Sequence, residues 1–376
     1  MDFKLTEEQQ MLQETAERLV RDAYTFSNRE KFSESETGFS PEFWQQMGEL
    51  GLTAIPFPEE LGGFGGTGIE NMLIMQELGK GLCLEPYMES VILAGGLITQ
   101  LGSDAQKEEL LAGIASGELQ AAVALEEQQS HYDLSHVTTT ATKQDGSWTL
   151  NGRKAVVIGG HTAGKILVSA RSAGDVRDQS GISLFIVDPN SEGVRRRVYS
   201  TVDGRKGCEL FLDNAKGELL GTDGEAYDAI RYQSGRAIAA LCAEAVGSMR
   251  VLCDITLDYL KTRKQFGVVI GKFQVLQHRM VDMISELERA TSMAILAACL
   301  ADDEDSEERS AKLAAAKYMV NRAAQYVAEQ SIQLHGGIAM TWEYAGAHYA
   351  KRLVMIGHQF GDEDHHLEAY AAQLSI

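Results

Sequence analysis

Hydrophobic patterning divides the chain into three blocks. From about residue 4 to 119 the spacing is helical. In LTEEQQMLQETAERLVRDAY the apolar residues Leu5, Met11, Leu12, Ala16, Leu19 and Val20 fall close to a helical period, which predicts an amphipathic helix. Thr6 ahead of Glu7 and Glu8 suits its N-terminus. PEFWQQMGELG closes on Gly51, a C-cap signal. PFPEELGGFGGTG carries two prolines and five glycines and reads as an irregular loop. From about 120 to 222 the pattern turns to short strands. SHVTTTATKQDGSWTLNGRKAVVIGG is punctuated by Asp145-Gly146 and Asn151-Gly152, turn pairs that favour hairpins. KILVSAR and ISLFIVD are apolar strands, and CELFLDN alternates before another turn. From about 226 three long helical stripes follow: Ile238 to Leu260, Leu276 to Leu300, and Leu313 to Val327, the last two separated by the acidic turn ADDEDSEER. Lengths and connections suit an up-and-down bundle. The expectation is an α+β, mainly helical chain: an N-terminal helical domain at 1–119, a central β domain at 120–222, and a C-terminal helical bundle at 223–376.

Composition narrows the function. The length of 376 residues allows two or three packed units, and the net charge of −20 argues against nucleic-acid binding. An anionic ligand would need locally placed cations. The five cysteines are scattered without a CxxC, as expected of buried, reduced thiols in a cytoplasmic protein. The acidic, polar start is unlike a secretory signal, and no apolar run reaches membrane-spanning length.

Three stretches could carry chemistry. RKQFGVVIGKFQ, Arg263 to Gln274, joins two long helices; its guanidinium could grip a phosphate, and Phe266 and Phe273 could pack on a flat ring. QLHGGIAMT, Gln333 to Thr341, follows the third stripe; paired glycines permit close backbone approach at a helix end. Each taken alone also reads as an ordinary helix connection or C-cap. HQFGDEDHH, residues 358–366, gathers three carboxylates and three histidines. His365 and His366 are adjacent and would point about 100° apart on a helix, a poor metal arrangement. Asp362 as the N-cap of a terminal helix requires fewer assumptions.

In combination these stretches are specific. The order helical, β, helical, with RKQFG, then FQ, then QLHGG about 60 residues on, resembles the acyl-CoA dehydrogenase family; PEELGGFG and LNGRKAVVIGGHTA extend the match over essentially the whole chain. The resemblance implies a central β-barrel or sandwich domain before a four-helix bundle, a tetramer, and FAD as cofactor. It implies oxidation of an acyl-CoA to the 2,3-enoyl thioester, with a glutamate removing the α-proton and hydride leaving to the flavin, and an electron-transfer flavoprotein as electron acceptor. In such enzymes a neighbouring subunit holds the adenosine side of each FAD. Arg263, Gln265, Phe266, Phe273, Gln274, Gln333, Gly336 and Gly337 match that side. The flavin side departs from the family: Glu126 stands where a threonine is usual, and Val156 and Ile158 replace an aromatic and a hydroxyl residue. The base is also missing. Phe360 occupies one usual position of the glutamate, and Gly235 or Ala237 the other, leaving Glu363 and Glu244 as displaced candidates. The chain therefore looks like the small, non-catalytic subunit of a heteromeric bacterial enzyme. The alternatives are a self-sufficient enzyme with a displaced base and a non-enzymatic family member with a binding or assembly role.

Overall fold

The computed structural model describes residues 4–374. Helices α1 (Glu7–Ala23), α2 (Phe26–Glu34), α3 (Pro41–Glu49) and α4 (Gly68–Gly81) come first. A π-helical segment, Met88–Ala94, runs into α5 (Gly95–Leu101), and α6 (Asp104–Ala115) follows. Seven strands come next: β1 (Ala121–Ala124), β2 (Thr140–Gln144), β3 (Ser147–Ile158), β4 (Lys165–Arg171), β5 (Ile182–Val187), β6 (Val194–Ser200) and β7 (Lys206–Leu220). The chain continues with α7 (Tyr227–Thr262), a small hairpin of β8 (Lys264–Gln265) and β9 (Val268–Val269), then α8 (Gln274–Leu300), α9 (Glu307–His335), α10 (Ala345–His358) and α11 (Glu363–Ala372). These elements form two compact units: one of the segments up to Glu30, Thr67–Cys83 and from Ile238 onward, the other of Lys31–Gly66 and Leu84–Ala237.

In the first unit the helix signals read from sequence act as anticipated. Thr6 and Gln9 form a reciprocal capping box on α1. Of the stripe read on α8, Met280, Met283 and Leu287 are buried and Leu276, Met293, Leu296 and Leu300 half-buried, while Ala290, Ala294 and Ala297 complete the buried face. On α9 Leu313, Ala316, Val320, Ala323 and Val327 are buried and Met319 half-buried, and Leu241, Cys242, Ala245, Met249, Leu252 and Cys253 of α7 are buried. Many of these positions are alanine, which lets the helices lie close.

In the second unit all seven strands join one sheet. Its path β4-β2-β3-β7-β5 returns to β4, closing a barrel-like circuit, with β1 added beside β4 and β6 beside β7. Leu150, Val157, Ile166, Val168, Phe185, Val187 and Leu210 fill the interior with no exposure. Asp145 and Gly146 both have positive φ and make the tight turn between β2 and β3. Asn151-Gly152, read from sequence as a second turn, lies inside β3 instead. The register against β7 shifts between Leu150 and Gly152, so the glycine serves a β-bulge. A Cβ there would crowd Thr139, 2.6 Å from its Oγ1. The anticipated turn after CELFLDN is likewise absent, because β7 continues through Asn214 at φ 50°. All five cysteines are free, but Cys299 is exposed, contrary to the expectation of uniform burial.

Candidate functional site

Both glycine-containing stretches come to the same end of the first unit. Near their C-terminal ends α7 and α9 are joined by the Thr256–Ser331 hydroxyl pair (2.8 Å) and by Tyr259, whose hydroxyl donates to the His335 carbonyl at 3.3 Å. One turn beyond Tyr259, the Arg263 amide donates to the Tyr259 carbonyl (2.8 Å). The chain then makes the β8–β9 hairpin, with Phe266 (φ 52°) and Gly267 (φ 76°) as its two turn residues. This hairpin was not anticipated, although Phe-Gly between two pairs of extended residues carried a signal for it. Phe266 is 90% exposed and meets Phe273 edge-on, with ring centroids 6.3 Å apart. Phe273 precedes Gln274, the first residue of α8.

Gly336 ends α9 at φ 65°, and the turn Gly336–Met340 follows. Chain geometry explains the first glycine. Gly337 has no such constraint, and a Cβ on it would meet nothing within 4 Å. Packing within this chain therefore does not account for glycine there. Gln333 is exposed on the last turn of α9, and Arg263, Gln265 and Gln274 are also exposed. Among the described residues none of these four side chains has a partner. In a chain of net charge −20, an uncompensated guanidinium beside open backbone and amide donors is what an anionic, planar ligand such as a nucleotide requires.

The second unit presents a different surface around β1 and β3. Lys154 is fully buried; its ammonium bonds Glu127 (2.7 Å), Ser169 (2.9 Å) and the Leu125 carbonyl (3.2 Å). Glu127 also accepts from the amides of Thr138 (2.9 Å) and Thr139 (3.0 Å), and sits well below the usual carboxylate range, at about 2, despite its burial. Four donors and the cation outweigh desolvation. Glu126 has no such support, and burial pushes its carboxyl up to about 7. Its carbonyl accepts from Ala155 (2.8 Å), which places it beside Val156, a β-branched residue at φ 50° where β3 shifts register against β7. Such a backbone outlier is costly and uncommon.

Neither position at which the resemblance would place a base holds an acid. Gly235 and Ala237 are buried on α7. Phe360 lies in the turn after α10 at φ 55°. Glu244 is locked in a buried fork with Arg352, Nε to Oε1 at 2.6 Å and Nη2 to Oε2 at 2.7 Å. That geometry makes it a structural ion pair. Glu363 opens α11, where a carboxylate favours the helix terminus, and its charge acts on Arg322 of α9. Asp362 is the N-cap, accepting from the His365 amide at 2.9 Å. No group of His, Cys, Asp or Glu among the described residues is arranged to hold a metal.

Behind that turn lies Lys317, which sequence reading missed. It is fully buried, and its ammonium bonds the Ile356 carbonyl (2.7 Å) and Asn321 (3.0 Å), capping the end of α10. A lysine within the apolar stripe of Leu313, Ala316 and Val320 was the available signal.

Comparison with known proteins identifies the family. The models of the acyl-CoA dehydrogenase N-terminal, middle and C-terminal domains match residues 6–118, 122–215 and 231–374. The probable acyl-CoA dehydrogenase YngJ of Bacillus subtilis is 32% identical over 92% of each chain. Among solved structures, a steroid acyl-CoA dehydrogenase described as Tcur3481-Tcur3483 is 28% identical, with a TM-score of 0.88 over 98% of each chain. Butyryl-CoA dehydrogenase from Megasphaera elsdenii is 25% identical, with a TM-score of 0.90 over the whole of both chains. With all three domains matched in order and across nearly its whole length, this chain belongs to the acyl-CoA dehydrogenase family, oxidoreductases that act on CH–CH groups.

Proposed function

We propose that this chain is one subunit of a heteromeric, FAD-dependent acyl-CoA dehydrogenase. It supplies the adenosine side of a FAD site, and a homologous partner subunit supplies the flavin-ring surface and the catalytic base. The observation that carries this reading is the contrast between the two surfaces. At the end of the bundle Arg263, Gln265, Gln274 and Gln333 are unpartnered, and Gly337 is open. Those groups suit the pyrophosphate and adenine of a dinucleotide: Arg263 for charge, the amides for polar edges, Phe266 and Phe273 for stacking. In the second unit Glu126 offers a carboxyl with no hydrogen-bond partner and an elevated pKa. Ionised, it only accepts hydrogen bonds, and it would oppose the carbonyl oxygens of a flavin ring. That surface does not fit the ring.

The chemistry supports the same division. Dehydrogenation of an acyl-CoA needs a carboxylate that takes the α-proton in a dry pocket. Bound FAD supplies the hydride acceptor. This chain offers Phe360, Gly235 and Ala237 where the resemblance places the base, and the displaced candidate on α7, Glu244, is committed to Arg352. It binds and orients; it does not move the proton. The description of Tcur3481-Tcur3483 pairs two components, in keeping with an enzyme of unlike chains. Met340 and Trp342, beside the open glycines, are 78% and 56% exposed, and Phe266 is more exposed still. A second subunit would cover them. The complete assembly would be a cytoplasmic mixed tetramer that passes electrons to an electron-transfer flavoprotein.

The test is FAD content per chain. The purified chain, saturated with FAD and freed of excess, should retain little flavin by visible absorbance. Co-expressed with a homologous subunit that has a glutamate base, it should yield a mixed tetramer with about half a FAD per chain. One FAD per chain in the protein alone would overturn the reading.

A further inference from the structure

The adenosine-side reading above leaves open what holds its two parts together, since the Gly336–Met340 turn has little anchorage of its own. Within it only Ala339 is buried. Resting on that reading, we propose that His335, clasped between Tyr259 and Tyr344, is a positioning residue that sets the glycine turn against the Arg263 hairpin for nucleotide binding.

His335 is the last residue of α9 and is buried. Its Nδ1 lies 2.8 Å from the Ser331 carbonyl. A carbonyl can only accept, so Nδ1 carries the proton. Burial holds the ring neutral, which leaves Nε2 as an acceptor, and the Tyr344 hydroxyl donates to it. The imidazole also meets two tyrosine rings at a tilt, its centroid 4.4 Å from that of Tyr259 (34° between planes) and 4.6 Å from that of Tyr344 (46°). Tyr259 closes the arrangement by donating to the His335 carbonyl. One side chain thus joins the ends of α7 and α9 and the entry to α10. Tyr259 is one turn before Arg263, His335 immediately precedes Gly336, and Tyr344 follows the glycine turn. The turn is therefore clamped at both of its ends, and the same clamp reaches the helix that carries the guanidinium.

Filling volume alone does not require this chemistry. A leucine or phenylalanine would occupy the space without a buried polar ring to satisfy. A fully bonded imidazole adds direction, because both nitrogens are bonded and two tyrosine rings pack against it. Gly346 contributes on the far side: its own Cβ would collide with the Tyr344 ring, standing 3.0 Å from the hydroxyl oxygen.

The experiment uses the full-length chain, ADP as the probe, and two variants that spare His335. Tyr344→Phe removes the hydroxyl and keeps the ring; Gly346→Ala pushes the ring. Tyr318→Phe, at a half-buried position of α9 whose hydroxyl accepts from Arg322, is the control. Calorimetric ADP affinity at a temperature well below unfolding is expected to fall about five- to tenfold in both variants, in line with loss of one buried hydrogen bond, and to be unchanged in the control. In a background where Trp44 and Trp148 are replaced by phenylalanine, the emission of Trp342 should shift in the same two variants. Unchanged ADP affinity, with or without an emission shift, overturns the positioning role. If the unmodified chain binds neither ADP nor FAD, the adenosine-side reading itself falls, an outcome distinct from the first.

Discussion

Acid should destabilise this protein through His366. The residue is buried at the start of α11, seated against Gly361, where a Cβ would stand only 2.6 Å from Nε2. Its Nε2 has no hydrogen-bond partner. The groups around it are Lys317 from α9, whose own neighbours include Cys242 of α7 and Arg352 of α10, together with His365 and Asp362 beside its own helix. Burial first, then the Lys317 ammonium, lowers its pKa from 6.5 to about 3. The sign follows from linkage. Below pH 6.5 the unfolded chain takes up a proton that the folded chain refuses, so this contribution is complete above about 6.5 and is lost as pH falls towards 3. At about 1.36 kcal/mol per pH unit, the loss is roughly 2 kcal/mol at pH 5 and approaches about 5 kcal/mol near pH 3. His366→Gln keeps a donor and removes the titration. Urea unfolding of both proteins at equal concentration, at pH 7 and pH 5, isolates the difference. The wild type should lose about 2 kcal/mol more than the variant between the two values. Parallel losses would refute the argument that a neutral, cation-facing imidazole is buried there.

Three further outcomes are expected. Arg352→Met removes the fork on Glu244 and should cost about 3–5 kcal/mol, whereas the double replacement with Glu244→Met should cost clearly less; equal costs in urea unfolding would count against the pair. Gly337→Ala should leave stability within about 0.5 kcal/mol, because its Cβ meets nothing, yet weaken ADP binding about tenfold or more; unaltered affinity would show that nothing approaches the turn. Glu126→Thr should raise the FAD retained by the isolated chain at pH 8, and wild-type retention should improve as pH falls through about 7, where the carboxyl becomes neutral; identical flavin content in the two proteins at every pH would clear Glu126 of any role.

Much of the architecture could be read in advance because it rests on periodicity. The α9 stripe buries Leu313, Ala316, Val320, Ala323 and Val327, that of α8 buries Met280, Met283 and Leu287 and leaves Leu276, Met293, Leu296 and Leu300 half-buried, and Asp362 caps α11 as its neighbours in sequence required. The failures involve long-range register. Asn151-Gly152 is a turn dipeptide by local rules, but β3 needs a bulge where Thr139 crowds it, and tertiary packing overrode the local preference. The buried cations were equally hidden. Lys154 and Lys317 look like surface residues in a string of letters, and only the fold brings Glu127 to one and the carbonyls of α10 to the other. For the candidate site, sequence supplied the residues and not their juxtaposition. Arg263 and Gly336 are far apart along the chain and come to the same end of the unit, where Tyr259 and His335 pack together near the ends of α7 and α9.

The polar residues of this chain fall into two groups, and the division bears on function. Glu127 with Lys154, Glu89 with Arg205, and Glu244 with Arg352 are buried pairs whose charges compensate one another. Removing either member harms this chain directly, so their presence follows from folding alone. Arg263, Gln265, Gln274 and Gln333 compensate nothing within the chain, and replacing any of them would cost the fold little. Gly337 is a sharper case, since a larger residue would fit and alanine favours a helical turn. Folding therefore does not explain these identities, and a ligand or a neighbouring subunit is the remaining physical source of constraint. Phe360, Gly235 and Ala237, at the positions where the resemblance places a base, carry no acid, which is the second ground for the proposal that a partner subunit supplies it. A surface suited to a nucleotide, together with uncharged residues where the resemblance places the base, is what the proposed division of labour between unlike subunits predicts.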